Sequence, residues 1–382
     1  MIEQSLALYV HMPWCVRKCP YCDFNSHQLK SGQPDAAYID ALILDFEAEL
    51  PRLEGRRIDT VFFGGGTPSL FAPSEFTRLL KALKTRIAFA DDAEITLEAN
   101  PGTIERGRFA GYAEAGINRV SLGAQSFDTG ALKALGRIHS ADDTHRAVEE
   151  LRCAKLDNFN LDLMYALPQQ TLEQAASDVK IACSLRPAHI SYYQLTLEPG
   201  TVFHSRPPPL PDEEAAWDIQ LAGQKLLADS GYVQYEVSAY AKPGAQCRHN
   251  FNYWLFGDYV GIGAGAHGKV SLELPQKILR TVKPKQPRDY QAAVGRAALG
   301  AGDSSYIAAA DLPFEFMLNA LRLNDGFSSD CYLARTGLEL RHLDAKMTRA
   351  RDRGLLEPRV NGWRPTELGR RFLNDLQLSF LA

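Results

Sequence analysis

The hydrophobic pattern predicts strands and helices that alternate along the first half of the chain. The apolar run Leu6–Val10 is typical of a strand buried on both faces, and apolar residues then recur at helical spacing from Asp35 to Leu53. Further strands are predicted at Thr60–Phe63, Ile95–Leu97, Arg119–Leu122, Asn160–Leu163 and Ile190–Leu195. Six strands that alternate with helices indicate an α/β fold with a parallel sheet and right-handed crossovers, either open or closed into a complete or partial barrel.

The second half of the chain has a different pattern. A proline-rich connector, Pro207–Asp212, leads into a helix that ends near Gly231, and Tyr232–Tyr240 is predicted as a further strand. The last predicted elements are helices at Pro313–Leu323 and Leu338–Arg353, a hairpin at Leu355–Pro365 and a helix that starts at Thr366. Helices followed by a small hairpin are typical of a winged-helix-like module. We therefore predict a barrel-like unit at residues 1–235, a connecting region at 236–305 and a smaller helical domain at 306–382.

Charge and composition exclude several classes of protein. The 382 residues carry 42 basic and 46 acidic side chains, a net charge of -4, so no overall basic field attracts nucleic acid. Arginines are frequent in the C-terminal domain, but the acidic remainder favours a packing or lid role over DNA binding. No apolar run approaches the roughly 18 residues that span a bilayer, and the start lacks a signal peptide. We expect a cytoplasmic protein that is not integral to a membrane, with at most a transient membrane association.

Three of the seven cysteines form a C-x3-C-x2-C cluster just after the first strand: Cys15, Cys19 and Cys22. Thiolates this close repel one another when ionised, so a chain that holds them together usually holds a metal with them. A structural zinc site needs a fourth ligand, for which Asp23, His11 and His27 are candidates. A cubane iron–sulfur cluster with three protein ligands instead leaves one iron open to an outside molecule, and the spacing favours this interpretation.

Polar residues and glycines collect at the predicted C-terminal ends of the strands. Besides the cysteine loop, they are the triple glycine Gly64–Gly66, Glu98, Gln125 and Asp162. Barrel enzymes build their sites on this face from the ends of several strands. Taken singly, Glu98 or Asp162 is explained as well by a helix cap or by bonds to loop amides. The glycine loop lacks the spacing of phosphate and dinucleotide loops, so it indicates either a tight turn or a close approach of backbone to a ligand.

Together these motifs resemble the radical S-adenosylmethionine (SAM) superfamily and, within it, the HemN/HemW group, over essentially the whole chain. The matching stretches are Tyr9–Cys15, the cysteine cluster, Gly64–Pro68, Glu98, Gln125, Leu135–His139 and Leu161–Met164. The resemblance implies a partial (β/α)6 TIM-like barrel in which Cys15, Cys19 and Cys22 ligate a 4Fe–4S cluster. It implies that SAM is held by Tyr9, Tyr21, Gly65, Gly66, Thr67, Glu98, Gln125, Arg137 and Asp162.

The resemblance leaves two functions open. Members of the HemN branch are oxygen-independent coproporphyrinogen III dehydrogenases, whereas members of the HemW branch bind haem and deliver it to haem-requiring respiratory proteins. The HemN branch has a further cysteine two positions after the last cluster cysteine, where this chain has Phe24. That branch also has a long N-terminal extension, whereas this chain reaches Tyr9 almost at once. Both departures favour the HemW branch, for which porphyrinogen oxidation is not expected.

A third feature is the stretch from His249 to Trp254, which resembles the HNxxYW motif associated with haem in the HemW branch. An imidazole nitrogen can bind haem iron, and aromatic rings can pack on a porphyrin face. Taken alone, a histidine among aromatics is more often a buried core residue. The resemblance implies that haem is bound by His249, Asn250, Tyr253 and Trp254, with Cys247 as a rival ligand. It also implies respiratory apoproteins as haem acceptors and a ferritin-type haem donor.

Overall fold

The computed structural model describes residues 5–29, 36–53, 55–102, 107–273, 275, 277–294 and 302–381. The strands are β1 (Ser5–Met12), β2 (Trp14–Cys15), β3 (His27–Gln28), β4 (Arg57–Gly65), β5 (Ala88–Ala99), β6 (Arg119–Gln125), β7 (Phe159–Tyr165), β8 (His189–Gln194), β9 (Val233–Gln234), β10 (Ala239–Ala241), β11 (Tyr259–Ile262), β12 (His267–Glu273), β13 (Lys277–Val282), β14 (Asp303–Tyr306), β15 (Phe327–Ser328), β16 (Leu356–Arg359) and β17 (Gly362–Pro365). The helices are α1 (Ala36–Glu49), α2 (Pro73–Lys84), α3 (Phe109–Ala115), α4 (Thr129–Ala134), α5 (Ala141–Cys153), α6 (Leu172–Ser184), α7 (Val202–Ser205), α8 (Glu213–Asp229), α9 (Arg248–Trp254), α10 (Pro287–Val294), α11 (Leu312–Ala320), α12 (Ser329–Thr336), α13 (Asp344–Asp352), α14 (Glu367–Arg371) and α15 (Leu373–Leu378).

The large sheet has the strand order β14-β13-β12-β11-β1-β4-β5-β6-β7-β8-β10-β9. β1 and β4 to β8 run parallel in chain order, with helices crossing over between them. β1 is flanked by β11 and β4, and β8 by β7 and β10, so the barrel is open. The predicted α/β class with a partial (β/α)6 barrel is confirmed, and the C-terminal ends of its parallel strands lie on one face.

Local sequence signals fix the limits of the barrel elements. Every residue of β6 is buried, as expected of a parallel strand that is covered on both faces. α5 begins with a capping box at Ser140 and Asp143, and α6 begins with one at Thr171 and Gln174. α3 ends at Gly116, whose φ of 103° favours glycine. These capping residues show where the three helices begin or end.

The sheet extends beyond the predicted strands on both sides. β11 runs parallel to β1, with Ala7 opposite Tyr259, and β12, β13 and β14 continue the sheet in antiparallel order. On the other side, the predicted strand Tyr232–Tyr240 consists of two short antiparallel strands, β9 and β10. The pattern missed β11 and β12 because their junction is rich in glycine. Gly261 packs so closely on the backbone of His267 that a side chain does not fit there.

A buried ion pair attaches this extension to α1. Lys283, just after β13, places Nζ 2.6 Å from Asp45 and 2.8 Å from Glu49, and all three side chains are at most 3% exposed. The Tyr290 hydroxyl of α10 donates to the second oxygen of Asp45 at 2.8 Å. Burial raises the pKa of Asp45, and the Lys283 ammonium opposes that effect. These contacts attach β13 and α10 to α1 of the barrel.

The C-terminal part packs around a hydrophobic cluster of its own. Phe316 is at its centre, with ring centroids 5.1 Å from Phe327 and 5.0 Å from Tyr332. β15, β17 and β16 form a small sheet, and the predicted hairpin of β16 and β17 turns at Asn361, which has a φ of 57°. Helices with this hairpin confirm the predicted winged-helix-like fold, while the domain limits at residues 235 and 305 stay predictions. Within the described chain, no helix has the length and apolar character needed to cross a bilayer.

Candidate functional site

The three clustered cysteines lie in and after the short strand β2, in the segment that follows β1. β2 contains Cys15 and pairs with β3, which closes the loop, and the Cys22 N–H donates to the Cys19 carbonyl at 3.2 Å. All three are free thiols at partly buried positions. Burial raises the pKa of Cys15 and of Cys22, so these thiols are protonated when nothing is bound. Ligation to a metal centre is what makes thiolates stable in such a setting.

Side chains from two other loops contact the cysteine sulfur atoms. Thr67 donates through Oγ1 to Cys15 Sγ at 3.5 Å, and Arg137 donates through Nη1 to Cys19 Sγ at 3.7 Å. Asn100 connects these donors, because its Nδ2 donates to Thr67 Oγ1 at 2.9 Å and its Oδ1 accepts from Arg137. A hydroxyl and a guanidinium therefore stabilise negative charge on the sulfur atoms.

A cavity of about 480 Å³, here called the cysteine cavity, lies at the C-terminal ends of the parallel strands. The predicted site residues that line it are Cys15, Cys19, Cys22, Tyr21, Gly65, Gly66, Thr67, Glu98, Gln125, Arg137, Asp162 and Asn250. Tyr9 lines the adjoining cavity instead, together with Gly65 and Glu98. The fold therefore gathers side chains that are far apart in the sequence around the cysteine cavity.

The glycine loop packs against the segment that leads into the cysteines. Gly66 N–H donates to the Met12 carbonyl at 2.8 Å, and a Cβ on Gly66 would lie 2.5 Å from the Trp14 carbonyl oxygen. Gly65 has a φ of 107°, and a Cβ there would overlap the His11 ring. Both positions therefore require glycine for close packing. The same packing leaves the main chain of this loop exposed to the cavity.

Of the carboxyl side chains that line the cysteine cavity, Glu98 and Asp162 are the two predicted site residues. Glu98 Oε2 accepts from the Gly65 N–H at 3.1 Å, and burial, together with the nearby charge of Asp162, raises the pKa of Glu98 to about 8. Asp162 accepts from Ser121 Oγ at 3.1 Å and from Asn160 Nδ2 at 2.7 Å, and burial raises its pKa as well. Such groups can accept hydrogen bonds from ribose hydroxyls, and a cationic ligand would favour their ionised form.

The raised pKa of Glu98 predicts a pH-dependent stability. The pKa of this carboxyl rises from its ordinary value of 4.5 to about 8 in the folded protein, so the stability contributed by Glu98 is fully present below pH 4.5 and is lost as the pH rises through 8. At about 1.4 kcal/mol per pKa unit, we expect the free energy of unfolding of ligand-free wild type to fall by roughly 3–4 kcal/mol relative to Glu98→Gln between pH 5 and pH 8. Urea unfolding at the two pH values measures this difference.

The matched control for this measurement is Glu149→Gln, which replaces an exposed glutamate of α5. We expect this control variant to follow the wild-type pH dependence. Parallel pH dependences for wild type and Glu98→Gln would contradict the raised pKa.

The predicted haem motif forms α9, and its histidine faces the protein interior. His249 is 1% exposed, with Nδ1 hydrogen-bonded to Thr60 Oγ1 at 2.8 Å and Nε2 to the Tyr253 hydroxyl at 3.0 Å. Burial lowers its pKa to about 3. Asn250 lines the cysteine cavity, whereas Tyr253 and Trp254 line the adjoining one. The structure thus divides these four residues between different surroundings, and haem ligation by His249 stays a prediction.

Cys247, the rival haem ligand, immediately precedes α9. It is 1% exposed, and its Sγ donates to Glu94 Oε1 at 3.7 Å. Burial, with the charge of Glu94, raises its pKa to about 11, although Arg119 opposes the shift. Cys247 is therefore a protonated, buried thiol in this arrangement.

The three candidates for a fourth zinc ligand differ in exposure and in the hydrogen bonds that they already make. Asp23 is exposed, and His27 Nε2 is buried and has no hydrogen-bond partner in the described part of the chain. No three histidine, cysteine or acidic side chains in the described ranges are arranged to hold one metal ion. His11 Nε2 donates to the Asn25 carbonyl at 2.8 Å, and His11 Nδ1 accepts from the Tyr9 hydroxyl at 2.9 Å. Both ring nitrogens of His11 are thus engaged in the fold, which weakens the zinc hypothesis.

A larger cavity of about 890 Å³ adjoins the cysteine cavity. The two cavities share Asp23, Phe24, Ser26, Gly65 and Glu98. Sequence reasoning missed the opposite wall, which contains Phe256, Tyr259, His267, Lys269, Arg280 and Lys285. The one sequence signal for this wall is the glycine-rich stretch Gly261–Gly268, which indicates a place where backbone approaches a flat or bulky ligand. Spacing along the chain gives no sign of the cationic residues that the β12–β13 hairpin brings there.

Comparison with known proteins gives the relatives of this chain. Residues 9–181 match the Radical SAM superfamily, and residues 307–372 match the HemN C-terminal domain. Heme chaperone HemW of Escherichia coli is 48% identical over 377 residues, which cover 99% of this chain and 98% of that protein. Heme chaperone HemW of Haemophilus influenzae is 47% identical over 385 residues, with 99% and 98% covered.

The solved structure of Escherichia coli coproporphyrinogen III oxidase (HemN), a radical SAM enzyme, matches with a TM-score of 0.84. The match covers 99% of this chain and 90% of that one at 23% identity, so it shows a shared fold. The identity to the HemW proteins is about twice as high over the same span, and it decides between the two branches of the group. The chain therefore belongs to the HemW family within the radical SAM superfamily.

Proposed function

We propose that this protein is a haem chaperone, which binds haem and delivers it to haem-requiring respiratory proteins. The observation that carries the proposal is the 48% identity, over 99% of the chain, to a protein named as a heme chaperone. A chaperone and a dehydrogenase differ in what they do to a tetrapyrrole. The proposal therefore requires stoichiometric binding of haem that leaves the haem chemically unchanged.

In the same proposal, Cys15, Cys19 and Cys22 hold a 4Fe–4S cluster beside SAM. The support is the free state of the three thiols and their common position on the cysteine cavity, where Thr67 and Arg137 donate to two of the sulfur atoms. When bound, the cluster and SAM supply one-electron chemistry at the sulfonium group. The protein's own part is to position these groups and to limit the access of water.

The remaining cavity residues have chemistry that suits the parts of SAM. Arg137 is a half-buried cation, which can pair with the methionyl carboxylate. Glu98 and Asp162 can accept hydrogen bonds from ribose hydroxyls or from the amino group. Gln125 holds its side chain in place by accepting from the Tyr193 hydroxyl at 2.8 Å. Because Glu98 holds its proton at neutral pH in the ligand-free protein, binding of a cation next to it would release that proton.

The alternative function is coproporphyrinogen III dehydrogenation, the reaction of the HemN branch. Phe24 occupies the position of the additional HemN cysteine, is 58% exposed and lines both cavities. A phenylalanine ring has no thiol, no proton to transfer and no hydrogen-bonding group, so it does not replace a cysteine in chemistry. It instead adds an apolar face at the junction of the two cavities, which suits binding of a tetrapyrrole.

The experiment that tests the proposed function presents two ligands to the same preparation. The full chain, reconstituted with iron and sulfide without oxygen, is given SAM and reductant together with either haem or coproporphyrinogen III. We expect one haem per chain, seen in a Soret titration, and no decarboxylated product from the porphyrinogen. Product formation would return the chain to the dehydrogenase class. A Cys15→Ala sample is titrated with haem in parallel. Comparison with wild type shows whether haem binding requires the cluster.

A further inference from the structure

The larger cavity has the size and lining of a site for a flat aromatic ligand. Its volume of about 890 Å³ is in the range of small-molecule and cofactor sites. Its aromatic lining includes Tyr9, Phe24, Tyr253, Trp254, Phe256 and Tyr259. Tyr253 packs edge to face on Tyr259 with ring centroids 4.6 Å apart, which fixes the wall, while the Phe24 ring is exposed. Rings in this arrangement can pack on a planar macrocycle.

Cationic side chains border the same cavity. Arg280 of β13 donates to the Tyr259 hydroxyl at 3.0 Å and to Glu315 at 2.5 Å, so its guanidinium is held in place. Lys285, three residues after β13, is exposed and has no ion-pair partner in the part of the chain that the structure describes. Lys18 of the cysteine loop donates to backbone carbonyls only. Cations at the border of an aromatic cavity suit a flat ligand that carries carboxylates at its edge.

His267 supplies a free metal ligand in this wall. It is the first residue of β12, its side chain is exposed, and its imidazole has no hydrogen-bond partner within the described ranges. Partial burial and the charges of Arg280 and Lys285 lower its pKa, so the ring is neutral and keeps a nitrogen lone pair. His249 and His11, in contrast, have hydrogen-bond partners at both ring nitrogens.

His27 also lines this cavity, and one of its ring nitrogens has no hydrogen-bond partner among the residues that the structure describes. That nitrogen, Nε2, is buried, and the His27 side chain as a whole is only partly exposed, whereas the His267 side chain is exposed. The geometry therefore favours His267 over His27 and His249 as the residue that meets an iron atom in this cavity.

We propose that the larger cavity is the haem site, with His267 as the axial ligand of the iron and with Arg280 and Lys285 paired to the propionates. This inference rests on the proposed function, and it names the site at which that function takes place. Phe24 and Glu98 belong to the walls of both cavities, so a macrocycle bound here lies next to the site of the cluster and SAM.

The iron ligand is tested by haem titration of the reconstituted full chain and its histidine variants. We expect His267→Ala to bind haem at least about tenfold more weakly, about 1.4 kcal/mol, and to lose the Soret position of the wild-type complex. Added imidazole should restore that position in His267→Gly. The matched control is His342→Ala, an exposed histidine outside the cavity, and it should match wild type. His249→Ala and His27→Ala should keep the wild-type Soret position.

The propionate contacts are tested by a second ligand. Lys285→Gln should weaken binding of haem about three- to tenfold, as expected for the loss of one charged hydrogen bond, but should leave binding of haem dimethyl ester unchanged. The control is Lys277→Gln, at the exposed end of β13, which should change the binding of neither haem nor its dimethyl ester. Coproporphyrin III, which has four propionates and no iron, should bind independently of His267. Equal losses for haem and its ester in Lys285→Gln would overturn the propionate assignment.

The outcomes separate this inference from the proposed function. If wild type binds no haem, the proposed function fails. If wild type binds haem and His267→Ala binds it equally, with the same Soret position, then only the inferred site fails. Loss of the Soret position in His249→Ala with His267→Ala unchanged would place the ligand in the sequence-predicted motif and overturn the inference.

Discussion

We expect that replacement of Cys15, Cys19 or Cys22, the proposed cluster ligands, by alanine will leave the chain unable to bind an iron–sulfur cluster. A cluster held by three thiolates has no protein ligand in reserve, and the nearby His11 is hydrogen-bonded at both ring nitrogens. We expect iron and sulfide to fall from about four of each per chain to background after reconstitution without oxygen. SAM binding should fall with them, because in the proposed site the iron without a protein ligand would be one of the groups that hold SAM.

The control for these variants is Cys153→Ala, because Cys153 is an exposed free cysteine at the end of α5. This variant should keep wild-type iron, sulfide and SAM binding. Circular dichroism of each variant tests whether the fold is retained. Full iron and sulfide in a folded Cys19→Ala protein would contradict the assignment, and one zinc per wild-type chain with no sulfide would restore the zinc hypothesis.

Replacement of Lys283 by methionine will lower the free energy of unfolding by about 3–5 kcal/mol, the range found when one partner of a buried ion pair is removed. Lys283 Nζ is the cation closest to Asp45, and the variant leaves this carboxylate buried beside Glu49. Because burial raises the pKa of Asp45, we expect the loss to become smaller as the pH is lowered and the carboxyl takes up a proton. Urea unfolding as a function of pH measures the effect.

The matched control is Lys277→Met on the same hairpin. Lys277 and Glu273 form an exposed pair, with side chains 57% and 62% exposed, so the loss should be below about 1 kcal/mol. Equal losses in the two variants would contradict the view that the buried pair attaches the outer strands to α1.

The sequence predicts the barrel because its signals are local. Each parallel strand is a short apolar run, so β1 and β4 to β8 lie where the pattern predicts strands, and capping residues such as Ser140 and Thr171 mark the starts of α5 and α6. The short elements β2, β3, α4 and α7 were not predicted. The outer strands β11 to β14 were missed for a physical reason. Gly261 allows two backbones to touch, which favours a loop in a pattern analysis, although here it permits strand pairing.

In the candidate site, too, sequence motifs identify some residues, whereas others are brought in only by the tertiary structure. The cysteine spacing and the family motifs identify residues that the fold gathers on one cavity. The haem motif is different, because the i,i+4 spacing places His249 and Tyr253 on one face of α9 but does not show that His249 faces the protein interior. His267 and Lys285 line one cavity with Phe24 because β11 pairs with β1 and because Asn25 Nδ2 donates to the Lys285 carbonyl at 2.8 Å. Such contacts depend on tertiary structure and not on any local pattern.

The most direct test of the account is haem delivery by the intact protein. Haem-loaded wild type, with its cluster and SAM, is mixed with membranes that contain a haem-depleted respiratory oxidase, and quinol oxidase activity is followed. We predict that activity returns faster than with an equal amount of free haem or with haem on serum albumin. Recovery no faster than with free haem would contradict the assignment of this protein as a haem chaperone.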